Sequence, residues 1–207
     1  MPRTAGSRNK RFDEKKEALL LALTEFALNS DLRRPSLREF AQNVGVSEPT
    51  LRHYFEDRRG VVRAILTDIA RRGRVIWDAL ASPAESVEAG LQAYFQISAT
   101  GIAHGGFVRT HAFGLIEGLA DPEIGQVYAS LILEPSLQAL MEKARLSGAD
   151  HLSENELRTF ALAAFSPLLV MSLHQDLLGA QTMEPVPVEG VMDTLRAWMT
   201  LSTKAPS

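Results

Sequence analysis

The sequence predicts an all-α protein, and two observations carry that prediction. Apolar residues recur at three- and four-residue spacing through nearly every ordered stretch, and no segment alternates as a strand does. Serine and aspartate stand at the starts of these stretches and glycine at their ends, where caps and left-handed stops belong. With 207 residues and 45% of them hydrophobic, the chain can bury a sizeable core.

Taken in order, the elements are about nine helices. Residues 1–11 are polar and basic and read as a flexible arm. Phe12 to Asn29 forms a first helix with Leu19, Leu23, Phe26 and Ala27 on one stripe. Ser36 and Glu39 make a capping box that opens a second helix, with Leu37, Phe40, Ala41 and Val44 inward and Gly45 as its stop. Ser47 caps a third helix that tolerates Pro49 in its first turn and ends near Phe55. Asp57 caps a long fourth helix through Val61, Ile65, Ile69 and Ile76 to about Leu80. A fifth enters through Pro83 and closes at Gly105 and Gly106; FVRTHAFGLIEGLA makes a shorter sixth. The seventh runs from Asp121 to Gly148 with Pro135 inside. The eighth, starting at Ser153, holds Pro167 midway, where a kink is expected. A linker, MEPVPVEG, precedes a last helix, GVMDTLRAWMTLS.

The net charge of −3 hides an asymmetry: residues 1–75 carry 16 Lys or Arg against 10 Asp or Glu, and the remainder carries 6 against 15. A basic head at +6 on an acidic body at −9 suggests that only the head meets a polyanion. Cysteine is absent, which excludes disulfides, cysteine-ligated zinc and thiol catalysis. No run of about 18 apolar residues is present, so no membrane span is expected. The basic N-terminus lacks the apolar stretch of an export signal, which makes the cytoplasm the expected location.

Two helices joined by a tight glycine turn, each apolar only on its inward side, form a helix-turn-helix. Leu51 and Phe55 pack inward, leaving Glu48, Pro49, Thr50, Arg52, His53 and Tyr54 outward. The second helix of such a motif enters the major groove N-terminus first. Arg52 suits a phosphate or a guanine edge, and Thr50 a thymine methyl or a backbone oxygen. Tyr54, His53 and Arg58 have the chemistry to position phosphates, with backbone N–H groups at Ser36, Leu37 and Arg38 adding anion affinity. Ser47, as the cap, completes the candidate DNA-binding set. A solvated helical corner gives the same local pattern.

SLREFAQNVGVSEPTLRHYFEDRRGVVRAIL resembles the DNA-binding signature of the TetR (tetracycline-repressor-like) family of bacterial transcription regulators. The resemblance covers residues 12–70 and rests on Ser36, Phe40-Ala41, Val44-Gly45-Val46-Ser47, Thr50-Leu51, His53-Tyr54-Phe55, Asp57 and Arg58. Arg52 departs from the tyrosine common in the family after Thr-Leu, and Arg58 from the usual lysine. The resemblance implies a helix-turn-helix domain at 12–57, a connecting helix at 58–80, and a helical regulatory and dimerisation domain at 81–207. It also implies a ligand-responsive regulator, released from palindromic operator DNA by a small effector. The helices at 153–179 and 187–202 would then pair two subunits through Phe160, Ala164, Leu168, Met171, Leu195, Trp198 and Met199. The simpler alternative is that these are the monomer's own core.

For the effector, Trp77, Tyr94, Phe95, Phe107, Phe113 and Tyr128 are candidates to line an apolar cavity, with ordinary core the simpler reading of each. His104, Arg109, His111, Glu117, His174 and Gln175 are the polar anchors on offer. This set favours an uncharged or weakly acidic hydrophobic ligand. His104 and His111, divided by Gly105-Gly106, do not form a metal site, and no cofactor is expected. No HExxH, GxSxG, phosphate-cradling glycine loop or ExxH pair occurs, so no catalytic residue and no enzyme are expected. The competing expectation is a helical protein-docking adaptor that has lost DNA binding.

Overall fold

The computed structural model describes residues 5–29, 33–183 and 187–203. Among these, every regular element is helical: α1 Ala5–Asn29, α2 Leu37–Asn43, α3 Glu48–Phe55, α4 Arg58–Ala81, α5 Val87–Ala103, α6 Gly106–Ala120, α7 Pro122–Tyr128, α8 Glu134–Ala144, α9 Glu154–Ser172 and α10 Val188–Thr203. Wider π turns occupy Ala129–Leu133, Arg145–Ala149 and Leu173–Leu177. The chain divides into two compact units, Met1–Arg72 with Phe113–Leu131, and Gly73–Ala112 with Ile132–Ser207. The N-terminal unit thus includes a segment, 113–131, that the sequence assigned to the regulatory domain.

In the first unit, the apolar stripes of four helices converge. Leu19, Leu23 and Ala27 of α1 are buried, as are Leu37, Phe40 and Ala41 of α2, Leu51 and Phe55 of α3, and Val61, Val62, Ile65, Leu66 and Ile69 of α4. Phe26 meets Phe40 edge-on with ring centroids 5.8 Å apart. The capping box forms: Ser36 N donates to Glu39 Oε2 at 2.7 Å and Glu39 N to Ser36 Oγ at 3.2 Å. Gly45, at φ 69°, ends α2, and Val46 N closes the turn onto Ala41 O at 3.0 Å. Ser47 caps α3, with Thr50 N donating to its Oγ at 3.3 Å. Helix α1 begins at Ala5, so residues 5–11 of the expected arm are helical, and 1–4 lie outside the described residues. Ala5, Arg8, Lys10 and Arg11 sustain a helix well, and a helix already nucleated by packing extends at little cost.

The α3–α4 joint is tight. Glu56 takes φ 70°, ψ −65°, a γ-turn centre, while Asp57 N donates to Phe55 O at 2.8 Å. Asp57 Oδ1 accepts Gly60 N at 2.7 Å and caps α4. A Cβ on Gly60 would lie 1.8 Å from Phe55 O, so only glycine fits.

The second unit packs α5, α8, α9 and α10 around Leu91, Tyr94, Phe95, Leu140, Met141, Leu157, Ala161, Ala164, Phe165, Leu168 and Met192. Trp77 Nε1 donates to Ser136 Oγ at 3.0 Å, and Ser136 donates on to Ile132 O at 2.8 Å. Lys143 is buried, and burial lowers its pKa; its Nζ donates to Ser82 O at 2.8 Å, just beyond the C-terminus of α4. The segment expected as one seventh helix runs on without a break through α7, a wider π turn and α8, with Ala129 and Leu133 in right-handed helical conformation and Pro135 inside, and it leaves that conformation at Ser147 and Gly148. Helix α9 runs on through Pro167. Within Glu154–Leu177 an 18-residue stretch has mean hydropathy 1.4, long and apolar enough by composition to cross a membrane. Scattered polar residues had hidden this in the sequence. Its Leu157, Ala161, Phe165 and Leu168 are nevertheless packed in the protein core.

Candidate nucleic-acid interface

The outer face of α3 is built as its spacing dictates. Leu51 and Phe55 point into the core, which turns Arg52, His53 and, half-buried, Thr50 and Tyr54 toward the other side. Arg52 is exposed and reaches back one turn to Glu48, Nη2 to Oε1 at 2.9 Å. A pair this exposed holds its partners weakly, so Arg52 is free to exchange Glu48 for a phosphate or a base edge. The Thr50 hydroxyl lies 2.8 Å from Ser47 Oγ. Pro49 is exposed beside them.

His53 and Tyr54 carry a second duty. Phe12 of α1 meets His53 edge-on at 5.4 Å and Tyr54 at 4.7 Å. Their rings therefore brace α3 against α1 as well as facing outward. Ser36 holds the α2 cap and Arg38 is exposed. The Leu37 side chain is buried, as expected of the first inward residue of α2, and its backbone N–H is what it offers an anion.

Arg58 is used differently from the sequence expectation. Its Nε donates to Pro35 O at 2.7 Å, and its Nη1 and Nη2 donate to Glu117 Oε2 and Oε1 at 2.9 and 2.6 Å. Arg34 Nε adds a third contact to Glu117 at 3.3 Å. The Glu117 side chain is 1% exposed. Removing one partner from a buried pair costs about 3–5 kcal/mol, while a charge-assisted contact to phosphate returns about 1.5–3 kcal/mol. Those magnitudes favour Glu117 over a phosphate as the partner of Arg58. Arg59 is held less firmly, bridging Asp121 and Glu123 at 2.8 Å each on the surface. Sequence reasoning placed Glu117 among the polar anchors of a pocket; a single acid inside the apolar run LIEGLA was the signal for a buried ion pair.

The six aromatic and three histidine candidates for the effector pocket are not gathered in one unit. Phe113 and Tyr128 are buried in the first unit, where the Tyr128 ring fills the space above Gly114. The other seven belong to the second unit. There His104, in the turn that ends α5, and His174, in the π turn after α9, are exposed. Tyr94 and Phe95 are core, and Trp77 is partly buried on Ser136. Phe107, His111 and Phe165 form an aromatic cluster, with His111 4.4 Å from the Phe107 ring and 5.5 Å from Phe165. Burial depresses the His111 pKa to about 4, so its imidazole is neutral. A cavity of about 10 Å³, room for one water, lies beside Val87, Leu91, Lys143 and Phe160.

Among the expected dimer residues, Ala164, Leu168 and Met171 are buried, and Phe160 and Leu195 pack against the same core. The most apolar face of α9 is packed within the chain itself. Trp198 is 66% exposed, and the Met199 side chain lies outside the described residues. The exposed apolar residues of α9 are instead Leu162 and Val170, 51% and 61% exposed.

An all-α chain with a capped helix-turn-helix in its first unit is the class that these elements define. Among solved structures, the fatty acid degradation regulator FadR from Bacillus halodurans matches with a TM-score of 0.62 at 13% identity, over 89% of this chain and 94% of that one. The TetR family repressor AlkX from Dietzia sp. strain DQ12-45-1b, implicated in biodegradation of n-alkanes, aligns with a TM-score of 0.47 at 15% identity, over 91% and 97% of the two chains. No protein-family model and no curated protein matches the sequence. At 13% identity the likeness to the FadR structure shows the fold alone.

Proposed function

We propose that the chain is a ligand-responsive transcriptional regulator, acting as a repressor, which binds palindromic operator DNA as a homodimer through α3. The observation that carries this reading is the α2–Gly45–α3 corner. Both helices are capped, their apolar residues are buried, and α3 presents an exposed Arg52 on a weak surface pair. A single eight-residue recognition helix contacts few bases, so a specific reader of this kind works as a twofold pair. The exposed Leu162 and Val170 on α9, with Trp198 on α10, supply apolar surface for such a pair.

The effector is a small hydrophobic molecule taken up by the second unit, where the Phe107–His111–Phe165 cluster offers an apolar wall and a neutral imidazole. It acts by binding a conformer whose two heads do not match the operator spacing. The FadR neighbour is by its name a regulator of fatty acid degradation. Fatty acids are therefore the first class to screen for release of bound DNA.

The test is selection of bound duplexes from a random pool with the wild-type chain and Arg52→Ala in parallel. An enriched inverted repeat, bound more weakly by Arg52→Ala, supports the reading. A well-folded protein that enriches nothing after ligand stripping points to the protein-docking adaptor. That second reading draws on the attachment of Arg34, Arg58 and Arg59 to carboxylates, which leaves the head fewer cations for phosphate.

A further inference from the structure

We infer that Glu117 is the positioning residue of the DNA-binding head, and that Arg58 is the strut through which it acts and not a phosphate contact. The inference rests on the regulator reading above and adds a role for a segment far along the chain from the recognition helix. All of its parts lie in the first unit.

One buried carboxylate ties three points of the backbone together. Arg58 stands at the first position of α4, directly after the Phe55–Asp57 joint that ends α3. Its Nε fixes the carbonyl of Pro35, the buried residue before the Ser36 cap of α2. Its other two donors grip both oxygens of Glu117, and Arg34, one residue before Pro35, reaches the same carboxylate. The segment leading into α2 and the start of α4 are thus referenced to a single point on α6. Because α3 hangs between those two ends, the same point fixes how α3 is presented.

The element that carries the carboxylate is closely packed. Helices α6 and α7 meet backbone to backbone, since a Cβ added to Gly118 would lie 2.9 Å from Gly125 Cα. Asp121, which caps α7, and Glu123 in its first turn bind the guanidinium of Arg59 next door. Two adjacent arginines of α4 are therefore held by one α6–α7 hairpin. The forked geometry at Glu117 also explains arginine at position 58, because lysine could not satisfy Pro35 O and both carboxylate oxygens at once.

The test uses the selected operator and measures affinity across a salt series for the wild type, Glu117→Gln, Arg58→Lys and Arg58→Gln. A phosphate contact contributes about 0.9 to the slope of log K against log salt, so losing one per subunit lowers a dimer's slope by about 1.8. A strut contributes nothing to that slope. The expected result is a loss of about tenfold or more in affinity for all three variants, with the wild-type slope retained. Arg58→Lys is decisive if Glu117→Gln fails to fold. Full affinity in Arg58→Lys, which keeps the charge and loses the fork, would show a phosphate contact, as would a reduced slope in Arg58→Gln. Either result overturns the inference while leaving the regulator reading intact. Tighter binding by Glu117→Gln would also overturn it, by showing that the carboxylate competes with DNA. No selected operator for the wild type removes the regulator reading, and this inference with it.

Discussion

Phe12 and Tyr54, forty-two positions apart in sequence, stack with ring centroids 4.7 Å apart, and the contact joins α1 to the outward edge of α3. Tyr54 is half-buried as a result, so a substitution there acts on the fold as well as on any DNA contact. Phe12→Ala is expected to lower unfolding free energy by about 1–2 kcal/mol through lost aromatic packing. Arg52→Ala, on an exposed pair, should stay within about 0.5 kcal/mol of wild type while weakening operator binding by about 1–3 kcal/mol per subunit. Urea denaturation of both variants beside operator titration separates the two roles. Equal stability for Phe12→Ala would remove the bracing role.

The α3–α4 joint stores strain at Glu56, whose φ of 70° and ψ of −65° suit glycine and few other residues. Glu56→Gly should raise stability by about 1 kcal/mol, strain relief outweighing the added entropy of the unfolded chain. Gly60→Ala should do the opposite, by more than about 3 kcal/mol, because its Cβ would collide with Phe55 O. Thermal melts of the two single variants test the pair. A destabilised Glu56→Gly would mean that the turn is relaxed by interactions of the glutamate itself.

The helical pattern, the Ser36 and Ser47 caps, the Gly45 stop and the inward set Phe40, Ala41, Leu51 and Phe55 were legible in the sequence because each is fixed by neighbours within one or two turns. The Arg58–Glu117 pair was not, since nothing local distinguishes an arginine aimed at phosphate from one aimed at a carboxylate fifty-nine positions away. The same limit applies to α9. Periodicity identifies an apolar face, and Ala164, Leu168 and Met171 were found by it, but whether that face meets the protomer's own α8 or a second copy is a tertiary matter. Residues 5–11 failed for the converse reason: polar composition suggested an arm, and packing of Phe12 against α3 supplied an anchor that composition does not show.

The corrected assignment of α9 gives a prediction about assembly. Leu162 and Val170 lie two turns apart with Ser166 between them, on the side of the helix away from Leu168. Leu162→Arg should leave the unfolding midpoint nearly unchanged and shift the protein from dimer to monomer in sedimentation equilibrium, with loss of operator binding. Leu168→Ala should cost about 2–5 kcal/mol of stability, as a buried large-to-small change does. A Leu162→Arg protein that sediments as a dimer would place the interface elsewhere.

His111 sets a stability ramp with pH. Its folded-state pKa lies near 4 against an ordinary 6.5, because burial beside Phe107 and Phe165 disfavours the imidazolium. With a depressed folded pKa, the contribution is complete above pH 6.5 and is lost as pH falls toward 4, since only the unfolded chain gains the proton in that interval. At about 1.4 kcal/mol per unit, the loss reaches about 2–3 kcal/mol by about pH 4.5. The carboxylates whose pKa values are lowered, among them Glu39, Asp68, Asp121, Glu134 and Glu156, begin to lose their stabilising effect only below their ordinary 4.5 or 3.8. Asp176, raised by burial, works in the opposite direction, so the comparison that counts is wild type against His111→Phe. The wild-type urea midpoint should fall relative to that of the phenylalanine variant as pH drops from 7 to about 4.5, with the variant nearly flat. Parallel curves across that range would mean that the imidazole gains its proton in the folded protein as readily as in the unfolded one, and that the cluster around it is wetter than its packing shows.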